Sequence, residues 1–302
     1  MSFSRIFILG AGAIGSVYGA LLSEKNDVVL IGNKAHVEAI NAKGLSIVGD
    51  MRRTFYPKAT TEIDCIPEET LVVLTTKAYD SAEAVRGIRK LLKKDTIILV
   101  LQNGLGNEEI VRRIVAGRGK VLRGVTKMAA EFSKPGSIRF WRGETIIEFD
   151  NDSVTIANAF DGCGLKSRLS ENIDRDVWSK LVVNCVVNPL TALFRVRNCE
   201  IWEDSLENVR HSVVKECVEV AEAEGIVLPR NLADKIDKRV TAYTNFSSMY
   251  QDITKGKRTE IDFLNGKITE LGKRHHIQTP VNETLVSFIK FLERENGISR
   301  KD

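Results

Sequence analysis

Lys180, Asn184 and Asn188 fall at every fourth position of the segment Val177-Trp178-Ser179-Lys180-Leu181-Val182-Val183-Asn184-Cys185-Val186-Val187-Asn188-Pro189. On a helix this spacing gathers them into one polar stripe, while the residues around them are almost all apolar. So apolar a helix has little surface left for solvent. The stripe is therefore expected to face inward, where each unpartnered polar group would cost about 1–3 kcal/mol. A lysine and two amides facing inward need either internal partners or a ligand, and a carbonyl compound is one ligand they would suit. The ammonium can stabilise negative charge developing on a carbonyl oxygen and donate a proton to it, and the amides can orient the rest of the molecule. Pro189 is expected to break or kink the helix just after Asn188.

A second chemistry is written near the amino terminus. Gly10-Ala11-Gly12-Ala13-Ile14-Gly15 fits GxGxxG, follows the apolar run Arg5-Ile6-Phe7-Ile8-Leu9 and opens a helical stretch from about Ala13 to Lys25. Strand, glycine turn and helix in that order bind a dinucleotide. Gly10 permits the tight turn, Gly12 removes the Cβ that would block a pyrophosphate, and Gly15, with Gly19 a turn later, lets the helix pack closely on the sheet. The helix N-terminus offers N–H groups and partial positive charge to the phosphates. At the end of the second strand, Asp27 to Ile31, the chain has Gly32-Asn33-Lys34 where an NAD-specific domain usually carries an acidic residue. Asn33 can hydrogen-bond a 2′-phosphate and Lys34 can neutralise it, so NADP(H) is the expected cofactor. Thr75-Thr76-Lys77-Ala78 and Gln102-Asn103-Gly104-Leu105-Gly106 each follow an apolar strand, which places Lys77 and Asn103 at the carboxyl edge where open α/β sheets hold ligands.

The elements that must position these groups are of two kinds. The first half alternates short β-branched runs (Leu71 to Thr75, Thr96 to Leu101, Val121 to Gly124) with helices such as Lys34 to Lys43, the signature of βαβ units and a parallel sheet. Gly44 to Thr60 and Ser137 to Phe149 read as strand-turn-strand and are expected as antiparallel additions at the sheet edge. From Leu165 onward helical periodicity dominates. Ile261, Leu264, Ile268 and Leu271, for example, form one helical stripe. Pro189, Pro229 and Pro280 mark breaks. The expected fold class is α/β, with a Rossmann-type dinucleotide-binding domain over residues 1–166 and an all-α substrate and catalytic domain over 167–302. The polar tail from Ile298 is expected to fray.

Bulk properties narrow the function. The 302 residues are 43% hydrophobic and 28% charged, enough to bury a core in each domain and too apolar for disorder. The net charge of +4 is scattered, which disfavours nucleic acid or a membrane surface as partner but suits an anionic cofactor and substrate. The five cysteines lie far apart without a CxxC pair, as expected of reduced thiols in the cytoplasm. No signal peptide or membrane span is expected, and no metal site, since the four histidines include only the adjacent pair His275-His276.

Taken in order, the chain resembles the ketopantoate reductase (2-dehydropantoate 2-reductase) family over essentially its full length. The resemblance is carried by Gly-Ala-Gly-Ala-Ile-Gly, Thr-Lys-Ala after a strand, Gln-Asn-Gly-Leu-Gly, and Trp-Ser-Lys-Leu-Val-Val-Asn-Cys-Val-Val-Asn-Pro-Leu-Thr-Ala. It continues through Ser247-Ser248-Met249-Tyr250-Gln251-Asp252 to Thr259-Glu260-Ile261-Asp262-Phe263-Leu264-Asn265-Gly266. The resemblance implies NADPH-dependent reduction of ketopantoate in a cleft between the domains, in coenzyme A biosynthesis. Lys180 would be the general acid, and Glu260 would orient it and reach the cofactor. Asn103, Asn184, Asn188, Asn198 and Ser248 would line the substrate site, with Lys77 and Asn103 also at the cofactor. Asn198 is flanked by Arg195-Val196-Arg197, a departure from the family pattern. Ala129 or Ala130 would meet the nicotinamide through backbone, although Lys127-Met128 just before it also departs from that pattern. Three alternatives stay open: a relative acting on another 2-oxo acid, a dehydrogenase running toward oxidation, and a dinucleotide-sensing module without chemistry. A homodimer is compatible with all of them.

Overall fold

A computed structural model describes residues 3–229, 231–241 and 243–297, so the tail from Ile298 lies outside the described residues. The chain divides into two compact units. One comprises residues 1–102 and 106–173, the other residues 103–105 and 174–302.

The first unit is built on an eight-stranded sheet. Its strands are β1 (Arg5–Leu9), β2 (Val28–Ile31), β5 (Lys58–Thr60), β6 (Thr70–Leu74), β7 (Ile97–Val100), β8 (Lys120–Thr126), β11 (Thr145–Glu148) and β12 (Ser167–Ser170). They lie in the order β12-β11-β8-β7-β6-β1-β2-β5, parallel except where β11 meets β8. The alternation of β1 explains its place at the centre. Ile6 and Ile8 pack on one side with α1 (Ala13–Leu22), while Phe7 and Leu9 pack on the other with α3 (Ser81–Ile88) and α4 (Asn107–Val115). Both faces are covered, which is why these strands are apolar throughout. The order reverses between β1 and β6, so the ends of these two strands form the topological switch point.

The strand-turn-strand segments extend this sheet only in part: β11 adds antiparallel to β8 as expected, and β5 takes the edge but parallel to β2. β3 (Leu45–Gly49), β4 (Arg53–Phe55), β9 (Ala129–Lys134) and β10 (Ser137–Trp141) form a separate sheet in the order β4-β3-β10-β9, with β10 parallel to β3. Its apolar side (Leu45, Ile47, Phe55, Ile138, Phe140) packs in one core with Tyr18, Leu21 and Leu22 of α1. A helix with apolar residues nearly all round needs cover on two sides, and the second sheet supplies it. Helix α2 (Lys34–Lys43) and helix α5 (Ser153–Gly162) complete the unit. The expected boundary at 166/167 falls too early, because β12 pairs with β11 and carries the first unit on to Ile173.

The second unit is helical: α6 (Ile173–Phe194), α7 (Glu207–Ala223), α8 (Leu232–Val240), α9 (Ser248–Thr254), α10 (Asn265–Arg274) and α11 (Pro280–Glu295). By length and composition α6 could cross a membrane, but 67% of its apolar window is buried inside the fold. It runs unbroken through Pro189, contrary to expectation. A proline there lacks the N–H that would bond the carbonyl of Cys185 four residues back. Asn265 Nδ2 donates to that carbonyl instead, at 2.9 Å, and also to Asn282 Oδ1 at 2.9 Å. Glu216 then accepts from Asn282 Nδ2 at 2.6 Å and from the N–H groups of Val281 and Asn282. The stripe from Ile261 to Leu271 is buried as expected but is not one helix. A short 3-10 turn, Ile261–Phe263, ends at Leu264 (φ −108°, ψ −108°), and α10 begins at Asn265.

Candidate active site

At the switch point of the first unit the glycines act through what they lack. Gly10 sits at φ +110°, and a Cβ there would lie 2.4 Å from the backbone nitrogen of Thr76. A Cβ on Gly15 would meet the Gly10 carbonyl oxygen at 2.3 Å and Thr75 Oγ1 at 2.5 Å, while Thr75 Oγ1 itself donates to the Gly10 carbonyl at 2.9 Å. Gly10, Gly15 and Thr75 thus lock the turn against β6. Gly12 is different, since nothing lies within 4 Å of where its Cβ would be. With Gly12 as N-cap, α1 carries no side-chain cap and no acidic residue in its first turn. An open backbone at a helix N-terminus, with Ala11, Ala13 and Ile14 completing the turn, fits the pyrophosphate of a dinucleotide.

Asn33 is the N-cap of α2, its Oδ1 accepting from the His36 N–H at 3.0 Å. Lys34 stands on the surface with its side chain 83% exposed, 3.9 Å from Glu38. Two residues on, His36 is fully buried. Its Nδ1 accepts from the Gly136 N–H at 3.0 Å, so the neutral ring carries its proton on Nε2, 2.9 Å from Ser16 Oγ. Burial pushes the imidazole below its ordinary value.

Lys77 follows β6, and Gln102 holds its loop. The Gln102 amide nitrogen lies 2.5 Å from Ser81 Oγ, 2.9 Å from Thr76 Oγ1 and 3.0 Å from the Thr76 carbonyl. Arg123, 3% exposed, supports Gln102 from below by donating to its carbonyl at 2.9 Å. Burial pushes the Glu108 carboxyl up, opposed by Arg123, whose Nε lies 3.7 Å from Glu108 Oε2. Ala129 opens β9 at a braced corner. Met128 N–H donates to Thr126 Oγ1 at 3.2 Å, and Lys127 N–H to the Glu144 carbonyl at 2.7 Å. Buried Tyr18, its phenol pushed up to about 12 by desolvation, holds Thr145 beside them at 2.6 Å.

In the helical unit three expected residues come together. Lys180 Nζ donates to Asn103 Oδ1 at 2.7 Å, and Asn103 Nδ2 donates to Glu260 Oε2 at 3.3 Å. The sequence reading had Glu260 orienting Lys180, and the structure places the Asn103 amide between them. Residues 103–105 reach this unit because Gly104, at φ +84°, lets the chain lie against Phe263, where a Cβ would be 2.3 Å from the carbonyl oxygen. Asn184 and Asn188 follow Lys180 along α6, Asn188 being 5% exposed.

Ser248 opens α9 and Asn198, 6% exposed, opens a 3-10 turn; the Asn198 N–H donates to the Asn245 carbonyl at 3.1 Å. Among the described residues the Asn198 Oδ1 has no hydrogen-bond partner. Sequence reasoning missed His36, Gln102, Asn265 and the buried hydroxyls Thr191 and Ser247. Pro189 alone gave a signal for one of them, since an interior proline leaves a carbonyl that some donor must satisfy. No cluster of three metal-binding side chains occurs among the described residues.

A family model described as ketopantoate reductase PanE/ApbA matches residues 6–151, and one described as its C terminal matches residues 172–293. The chain belongs to the ketopantoate reductase family. A 2-dehydropantoate 2-reductase of Pyrococcus abyssi is 39% identical, covering 97% of this chain and 99% of that protein. The Halobacterium salinarum 2-dehydropantoate 2-reductase is 33% identical with similar coverage, 96% and 99%. Among solved structures, a PanE/ApbA family ketopantoate reductase of Ralstonia eutropha is 31% identical with a TM-score of 0.91, covering 97% of this chain and 99% of that one. A D-mandelate dehydrogenase in complex with NADH and anilino(oxo)acetate is 28% identical with a TM-score of 0.90 and the same coverage. As a member of the ketopantoate reductase family the chain is a dinucleotide-binding oxidoreductase.

Proposed function

We propose that this chain reduces 2-dehydropantoate to pantoate with NADPH, a step of pantothenate and coenzyme A biosynthesis, and that Lys180 is its general acid. The observation that carries the reading is the hydrogen-bonded line from Lys180 through Asn103 to Glu260, at the head of the Asn184 and Asn188 stripe.

The chemistry of that line follows from donors and acceptors. An ammonium has three protons and no lone pair. Asn103 Oδ1 takes one, which fixes the Nζ position. Asn103 can serve only with its carbonyl toward Lys180, because the flipped amide would set NH₂ against ammonium. Glu260, accepting from Nδ2, holds the amide the right way round. As hydride arrives at the ketone carbon, Lys180 meets the developing alkoxide and transfers a proton to it. The neutral donors Asn184, Asn188, Asn198 and Ser248 orient the carboxylate and hydroxyl of the substrate. Bound NADPH supplies the hydride. The turn Gly10 to Gly15 would hold its pyrophosphate, Asn33 and Lys34 its 2′-phosphate, and Lys77 and Ala129 the nicotinamide half.

The likeness to D-mandelate dehydrogenase favours a second reading, in which the substrate is another 2-oxo acid and the cofactor NADH. A panel separates the two. NADPH and NADH oxidation are followed with 2-dehydropantoate and other 2-oxo acids, and NADP+ and NAD+ reduction with D-mandelate. The highest kcat/KM is expected for 2-dehydropantoate with NADPH, and a higher value for any other pair overturns the assignment.

A further inference from the structure

Three residues past Asn188, α6 carries a fully buried threonine, Thr191, whose Oγ1 lies 2.7 Å from Ser247 Oγ. Ser247 is 4% exposed and is the N-cap of α9, its Oγ accepting from the Tyr250 N–H at 3.0 Å. Thr191 Oγ1 also has the Val187 carbonyl at 2.7 Å. Each hydroxyl has a single proton to give. Ser247 Oγ accepts from both the Tyr250 N–H and Thr191 Oγ1, and the Thr191 proton is shared with the Val187 carbonyl. This line runs from the first turn of α9 into the turn of α6 that bears Asn188. Backbone bonds clamp the same segment from another direction, from Asn198 N–H to the Asn245 carbonyl and from Cys199 N–H to the Tyr243 carbonyl.

The apolar contacts of α9, through buried Met249 and Ile253, are non-directional and set how deep the helix lies. The hydroxyl pair is directional and sets its register. We propose that Thr191 is a positioning residue for substrate binding, which through Ser247 fixes Ser248 against the Asn184 and Asn188 stripe. This rests on the proposed anchoring role of Ser248.

The test uses purified enzyme and measures KM and kcat for 2-dehydropantoate, NADPH affinity and Tm. Thr191→Val keeps volume and β-branching and removes only the hydroxyl. It is expected to raise KM about 5- to 20-fold, with kcat within about threefold and NADPH affinity unchanged, as for an interaction equal in ground and transition states. Thr191→Ser restores the hydroxyl and should bring KM back to within about twofold of the parent. The double variant Thr191→Val with Ser248→Ala should have the KM of Ser248→Ala alone, because the two residues act in one line. A lowered Tm with unchanged KM makes Thr191 merely structural and overturns the proposal, as does a double variant whose KM effects multiply. Should Thr191→Val fail to fold, Ser247→Ala takes its place with the same expectations. An unchanged KM in Ser248→Ala instead overturns the anchoring role of Ser248, and the inference with it.

Discussion

In the sheet unit the groups proposed to hold a ligand belong to the backbone, at the turn between β1 and α1. In the helical unit those proposed are mostly side chains on a buried helix. The turn works because Gly10, Gly12 and Gly15 carry nothing, two of them to let chain meet chain and one to leave a cradle open. The helix works because each polar group is supported by another: Lys180 by Asn103, Asn103 by Glu260, and the carbonyl freed by Pro189 by Asn265, Asn282 and Glu216. The difference predicts how each side fails. Adding a methyl group should break the first, and removing a partner should break the second.

The largest effect is expected on the helical side. Lys180→Ala should fold and retain NADPH affinity, because the glycine turn lies in the other unit, while kcat falls about 10²- to 10⁴-fold, the range for a lost general acid. Asn103→Ala and Glu260→Ala should fall in the same direction. If the three act as one line, pairing either with Lys180→Ala should cost little more than Lys180→Ala alone. Steady-state rates at saturating NADPH decide it. A Lys180→Ala enzyme within a few-fold of the parent would remove the ammonium from the chemistry.

On the sheet side, Gly15→Ala puts a methyl group 2.3 Å from a carbonyl oxygen that is itself held by Thr75. Neither atom is the loose end of a long side chain, so the turn must move. Overpacking of this kind costs about 1–3 kcal/mol of stability. The displaced turn should weaken NADPH and NADH by equal factors, and kcat at saturating cofactor should be nearly preserved. Thermal unfolding with and without cofactor measures both losses. An enzyme with normal cofactor affinity would show that the turn has slack the contacts do not suggest.

The same contrast explains what could be read from the sequence. The glycine turn, the parallel strands and the Lys180 stripe were legible because short spacings encode them, GxGxxG in one case and every fourth residue in the other. The bridging place of Asn103 was not, since 77 residues separate it from Lys180 and 157 from Glu260. Pro189 misled for a related reason. A break was the local expectation, and the donor that removes it, Asn265, comes from a distant helix. The second sheet escaped because β3 and β10 alternate like any edge strand, and only their packing on α1 tells them apart.

His36 tests the contrast from the other side, because here the sheet unit depends on a buried side chain. Its ring must stay neutral for Nδ1 to accept from Gly136. Burial lowers its folded pKa beneath the unfolded value of 6.5, so between the two values the unfolded chain binds more protons than the native one. This contribution is therefore fully present above about pH 6.5. It declines as pH falls toward the folded value, with a slope no steeper than about 1.4 kcal/mol per pH unit for one proton. Urea midpoints from pH 7.5 to 5 should show a decline that is shallower in His36→Gln. Identical pH slopes for the two proteins would mean that His36 is not held neutral by the fold.

The smallest effect is expected at Lys34, where a side chain serves the sheet unit from the surface. Its ammonium is 83% exposed, and its recorded partner, Glu38, stands at 3.9 Å, so Lys34→Ala should leave Tm unchanged. A hydrogen bond to a charged group reaches about 1–3 kcal/mol. Solvent screening places this one at the lower end, about 1 kcal/mol or fivefold in NADPH affinity. NADH lacks the 2′-phosphate and should lose nothing. Because the attraction acts through solvent, the difference between parent and variant should shrink as salt rises from 0.05 to 0.5 M, where the screening length falls to about 4 Å. Equal losses for NADPH and NADH would place Lys34 away from the 2′-phosphate. NADPH preference would then have to come from Asn33, whose Oδ1 is already committed to the His36 N–H and which has only its Nδ2 to offer a phosphate.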